Sequence, residues 1–159
     1  MARKKTFRTI LGKPSSAIQA MVDGLRQQAK RKNFKIDMAT YGEFDDEDKV
    51  CFGCAATCTV QRAMHKTFRN ERMRLIEGRA DILGADVNDL SDFENAIDNL
   101  RVADIFALFE YFRYDTENDE MFDYLRELEV GLPVLSNGSW KKGLREYAKL
   151  AKKLQKDGY

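Results

Sequence analysis

Residues 91–114 constrain this chain more than any other stretch. Ser91-Asp92-Phe93-Glu94 has the form of a capping box, and its two carboxylates sit where a helix is electropositive. Phe93, Ala96, Ile97, Leu100, Ala103, Ala107, Leu108 and Tyr111 then follow at helical spacing. Ile105, Phe106, Phe109 and Phe112 widen that stripe almost to the full circumference. A helix apolar on so many sides must be surrounded by other elements. The expected fold class is therefore mainly α: a compact bundle of five or six helices around a central helix at about 91–114, with a minor β element near 34–41.

The remaining helices of that expectation are read from local signals. Pro14-Ser15-Ser16 opens one, with Ser16 and Gln19 as a capping box and Ile18, Met21, Val22, Leu25 and Ala29 inward. It fades by Lys32-Asn33. A helix is read from about Gly53 to His65, a second follows with Phe68, Arg72, Leu75 and Ile76 on one side, and another covers about 116–129. Gly131-Leu132-Pro133-Val134-Leu135-Ser136-Asn137-Gly138 is turn chemistry. The last helix runs from Ser139 or Trp140 to Lys156, with Leu144, Tyr147, Ala148, Ala151 and Leu154 inward and Lys141, Arg145, Lys149, Lys152 and Lys156 outward. Phe34, Ile36 and Met38 alternate with Lys35, Asp37 and Ala39, which predicts a half-buried strand needing a partner near Val50 or within 130–136. Tyr41-Gly42-Glu43 and Asp45-Asp46-Glu47-Asp48 read as a solvated turn.

Charge comes in blocks. Residues 1–35 carry ten Lys/Arg and one acid, residues 80–130 carry fifteen acids and three Lys/Arg, and the whole chain of 159 residues nets only +1. Residues 1–13 read as a basic, poorly ordered lead-in and 14–159 as a single helical domain. The first block, with Arg3, Lys4, Lys5 and Arg8, would suit phosphates. Near-zero net charge gives no long-range attraction for a polyanion, so the expectation is mutual neutralisation inside the fold and no nucleic-acid partner. No run approaches the roughly 20 apolar residues of a membrane span. No apolar segment follows the charged start, so no cleaved signal is expected. Three thiols within eight residues suit a cytoplasmic protein better than a disulfide framework.

The motifs of phosphate loops, dinucleotide folds, zinc proteases and serine hydrolases are absent from the sequence. Asp115-Thr116-Glu117-Asn118-Asp119 begins like a calcium loop but has Glu120 where Gly is required and Arg126 where the bidentate acid belongs. His65 is the only histidine, which excludes multi-histidine metal sites.

What remains is Cys51, Cys54 and Cys58, spaced C-x-x-C-x-x-x-C. On one helix, Cys54 and Cys58 would lie about 60° and about 20° from Cys51. Cys51 and Cys58 would then stand ~10 Å apart along the axis, and Cys51 and His65 ~21 Å, too far to share one ion with bonds of about 2.3 Å. Zinc could bind only with Cys51 reaching in from a loop and a fourth ligand from the acids at 45–48. Redox chemistry at Cys51-Phe52-Gly53-Cys54 would need a helix N-terminus to lower a thiol pKa, and the acids just before it oppose that. The C-x-x-C resembles that of the thioredoxin family, and Gly131-Leu132-Pro133-Val134 resembles the family's proline segment. The strand that feeds the family's motif and the hairpin after its proline are not read in this sequence. The third reading makes the thiols core filler, small enough to let a neighbouring helix approach, with the helix at Ser91 as the expected neighbour.

The expected function is thus a non-enzymatic protein-interaction or structural accessory domain with no cofactor, its partner a protein or a second copy. Tyr111, Phe112 and Tyr114 are the candidate surface, because they carry the aromatic stripe to the helix end. The alternatives are a thiol-redox or zinc-binding protein using Cys51, Cys54 and Cys58, and a nucleic-acid-associated protein using the basic N-terminal segment.

Overall fold

The computed structural model describes residues 14–40, 43–64 and 132–159, together with Glu127. The lead-in at 1–13, the helices read near 68–84, 91–114 and 116–129, His65, and Tyr111, Phe112 and Tyr114 lie outside the described residues.

The described residues form helix α1 (Pro14–Ala29), strands β1 (Phe34–Ile36), β2 (Glu43–Asp45) and β3 (Val50–Gly53), helix α2 (Ala55–Met64) and helix α3 (Trp140–Lys156). This corrects the bundle of five or six helices: among the described residues there are three helices and a three-stranded mixed sheet. β3 lies in the middle, parallel to β1 and antiparallel to β2. The expected partner of the 34–38 strand near Val50 is β3, with Phe34 opposite Cys51 and Ile36 opposite Gly53. The ladder is extended by Cys51 N–H to Asn33 O and Asp37 N–H to Gly53 O, both 2.9 Å.

Two physical reasons hid the sheet. Val50-Cys51-Phe52-Gly53 is a short apolar run, and periodicity cannot separate a buried strand of that length from the first turn of a helix. Residues 43–45 are mostly acidic, yet they pair because β3 offers them its second edge. Asp45 shapes the turn that follows, its carboxylate accepting the N–H groups of Glu47 (2.9 Å) and Asp48 (3.2 Å).

α1 starts at Pro14, where the missing N–H costs nothing. Ser16 is therefore inside the first turn and exposed, and Gln19 donates to Asp23 (3.0 Å) instead of closing a capping box. Ala17, Ile18, Ala20, Met21, Val22 and Leu25 are all buried, while Ala29 is exposed. So broad a buried surface is possible because α1 packs on α2, on α3 and on β1. Among the described residues it is α1 that occupies the central place expected of 91–114.

α2 runs parallel to α1: Gly24 lies at Cys58, and one turn on Arg62 donates to Gln27 (3.4 Å). α3 returns antiparallel. Its C-terminal end meets the start of α1 through Ser15 N–H to Tyr159 O (3.3 Å), and its N-terminal end is tied to the residues after β1 through Met38 N–H to Asn137 Oδ1 (2.8 Å). Its span and its inward residues agree with the reading from sequence; Leu150 is buried as well, and Ala148 is half-buried. No described helix is long and apolar enough to cross a membrane.

Candidate functional site: the cysteine segment

The three thiols do not share a helix. Cys51 is on β3, Cys54 is the single residue between β3 and α2, and Cys58 is on α2. Cys54 O accepts the N–H of Cys58 (3.1 Å), the first α-helical bond of α2, so Cys54 occupies the N-cap position. A strand does feed the C-x-x-C, contrary to the sequence reading. It includes Cys51, however, so the motif straddles a strand end and only Cys54 stands at the helix N-terminus.

None of the three is in a disulfide and all are buried, with Cys51 3%, Cys54 1% and Cys58 0% exposed. The turn that carries them is buried too: Ala55, Ala56, Thr57 and Thr59 are at 0% exposure. Its hydroxyls are satisfied locally. Thr59 donates to Ala55 O (2.7 Å), and Thr57 Oγ1 lies 3.9 Å from Cys54 Sγ, at the limit of a sulfur hydrogen bond.

Among the described residues the helix against the thiol-bearing turn is α1; the segment beginning at Ser91, the neighbour expected from the sequence, lies outside them. α1 comes close because Gly24 has no side chain; a Cβ there would stand 2.8 Å from the Cys58 carbonyl carbon. Gly53 permits a similar approach on the other side, where a Cβ would meet the Phe34 ring at 2.9 Å and Thr57 Cγ2 at 3.0 Å. The signal for both was present, since an isolated Gly within an element often marks close approach.

Chemically, this arrangement favours a neutral thiol at Cys58. The Cys58 thiol is pushed well above its ordinary value, first by burial and then by Cys54 beside it, with Arg31 pulling weakly the other way. A thiolate is the form that attacks or ligates, and burial disfavours it. Among the described residues no three His, Cys, Asp or Glu side chains converge as a cation site. Of the acids at 45–48, put forward as sources of a fourth ligand, Asp46, Glu47 and Asp48 are exposed on the β2–β3 turn and Asp45 is half-buried at the end of β2. Pro133 lies beside α3, where its carbonyl accepts the Tyr147 hydroxyl (2.8 Å). The Tyr147 hydroxyl is itself pushed upward by burial.

Comparison with protein-family models, with curated proteins and with solved structures finds no match to this chain.

Proposed function

We propose that this chain is a non-catalytic structural or protein-interaction domain of the cytoplasm, its cysteine segment serving as wall material of the core. One observation carries the reading: Cys51, Cys54 and Cys58 are all buried and unbridged along β3 and the start of α2, the helix that packs on α1. Three unbridged thiols also suit a reducing compartment. The partner is a protein or a second copy, with Tyr111, Phe112 and Tyr114 as the surface offered; this part rests on the aromatic stripe in the sequence.

Native-state thiol labelling with metal content measured on the same sample tests the core assignment. Labelling should be slow in the folded protein, complete on unfolding, and accompanied by no stoichiometric metal. Rapid labelling of Cys51 or Cys54, or one zinc per chain, would turn the assignment towards redox or metal chemistry. Light scattering that gives a monomer at every concentration would remove the second copy.

A further inference from the structure

Asn137 is the one asparagine of the chain that a glycine follows. The pair occupies the middle of the turn that leads into α3: Ser136 O accepts the N–H groups of Ser139 (3.2 Å) and Trp140 (2.9 Å), with Asn137 and Gly138 between them. Both residues are exposed. Gly138 N–H makes no hydrogen bond among the described residues, and nothing lies within 4 Å of the place a Cβ would take. Gly138 is outside the left-handed region, so the turn's backbone does not demand a glycine there. The Asn137 side chain, by contrast, is engaged at both its polar atoms. It accepts from Met38 N–H (2.8 Å) and donates to Asp37 Oδ1 (3.3 Å). The Asp37 carboxylate also takes Ala39 N–H (3.0 Å) and the Thr40 hydroxyl (3.1 Å), so one amide joins the turn before α3 to a hydrogen-bonded loop after β1.

A side-chain amide followed by an unbonded, unshielded backbone nitrogen has an intramolecular reaction open to it. Gly138 N gives its proton to a base in the solvent and attacks Asn137 Cγ. The new N–Cγ bond closes a five-membered imide, the Cγ–Nδ2 bond breaks, and Nδ2 leaves with a proton as ammonia. Water then opens the ring. Opening at Cγ leaves aspartate at position 137; opening at the main-chain carbonyl leaves isoaspartate, in which the chain runs through Cβ and Cγ. One water is taken up and one ammonia released, with no change of oxidation state. The bonds to Met38 and Asp37 hold the amide away from this path while they last. They belong to an exposed turn, and such local ties open far more often than the fold as a whole.

We propose that Asn137-Gly138 is a self-modification site, at which deamidation by water alone irreversibly removes the tie between the turn before α3 and Asp37. Either product lacks Nδ2 and sets a second carboxylate against Asp37, where like charges repel. Aspartate keeps an acceptor for Met38 N–H, whereas isoaspartate lengthens the main chain by one atom and carries that acceptor out of register. Because the conversion runs one way, the loosened fraction grows with the age of the folded chain. The inference draws on neither the thiols nor the partner surface, so it and the proposed function stand or fall separately.

The test is incubation of the folded full-length chain at mildly alkaline pH, followed by peptide mapping that separates asparagine, aspartate and isoaspartate at each position. Asn137 should convert ahead of every other asparagine, with isoaspartate among the products, since direct hydrolysis of the amide would give aspartate only. Gly138→Ala, whose Cβ enters open space, should melt like the parent before incubation and convert about tenfold more slowly, because that Cβ crowds the attacking nitrogen. Converted chains should melt at a lower temperature than unconverted ones from the same sample, and Asn137→Asp should show a lowered melting temperature without any incubation. An Asn137 that persists while other asparagines convert would overturn the proposal, as would equal rates in the parent and Gly138→Ala. Conversion that leaves the melting temperature unchanged would also overturn it, since no tie would then have been lost.

Discussion

Gly24 on α1 and Cys58 on α2 touch through the backbone: the vacant side-chain position of Gly24 faces the Cys58 carbonyl, with Arg62 Cβ 3.2 Å away. Neither helix can yield there without separating from the other. Gly24→Ala gains about 1 kcal/mol of helix propensity and should lose more than that to overpacking, for a net loss of ~1–2 kcal/mol. Gly143→Ala meets only the end of Leu135 (2.5 Å) and Pro133 Cγ (3.3 Å), which can turn aside, so its loss should be smaller. Gly138→Ala meets nothing within 4 Å and should be neutral or slightly stabilising. Urea melts of the three variants test that order.

Stability should fall at alkaline pH. The folded-state value of Cys58 is raised above its ordinary 9.0, so above that pH the unfolded thiol loses its proton while the folded one keeps it. The folded state then binds more protons, and unfolding free energy declines by up to ~1.4 kcal/mol per pH unit until the folded value is reached. The contribution is complete below pH 9.0. Tyr147, raised from 10.0, adds a loss of the same sign from higher pH. Cys58→Ala should flatten the first part of the curve, and Tyr147→Phe the second. A parent protein with level stability from pH 8 to 10.5 would contradict both assignments.

Asn137 fastens the loop before α3 to the end of β1, accepting from Met38 N–H (2.8 Å) and donating to Asp37 Oδ1 (3.3 Å). Asn137→Ala leaves a half-buried N–H without its acceptor and should cost ~1–3 kcal/mol. Asn137→Asp keeps an acceptor for Met38 but sets a second carboxylate against Asp37. It should be destabilised at pH 7 and recover towards the parent below about pH 4, as the pair takes up a proton. Thermal melts at the two pH values measure the difference.

Lys49 closes the β2–β3 turn with φ +56°, a conformation L-residues adopt at a cost. Lys49→Gly should leave stability unchanged or raise it by up to ~1 kcal/mol, the relief being set against the extra freedom of glycine when unfolded. Lys49→Val should cost ~1–2 kcal/mol, because a β-branched residue is disfavoured there. Paired melts against the parent protein provide the measurement.

How much was legible follows from what each element depends on. α3 could be read to within one residue of its span and in most of its inward face because its apolar and basic faces alternate at one period over four turns. α1 was legible in its core residues but not its cap, since Pro14 and Ser16 both signal a helix start and only the fold chose between them. The strand at Phe34 was legible as alternation, and β3 was not, because four apolar residues have no period. The cysteine segment was misplaced for the same reason. Spacing alone aligned three thiols on one helix, and hydrogen bonding to β1 and β2 drew Cys51 into the sheet.

The sequence by itself determined where helices α1 and α3 run, which of their faces turn inward, and that the thiols belong to a small, apolar stretch. Those properties are written in residue type and period, which act over a few neighbouring positions. Only the tertiary structure decided that Gly24 admits the Cys58 backbone, that β3 lies between β1 and β2, and that the start of α1 meets the end of α3. Each of these depends on groups far apart along the chain, and their energies arise only once folding brings the groups within contact distance.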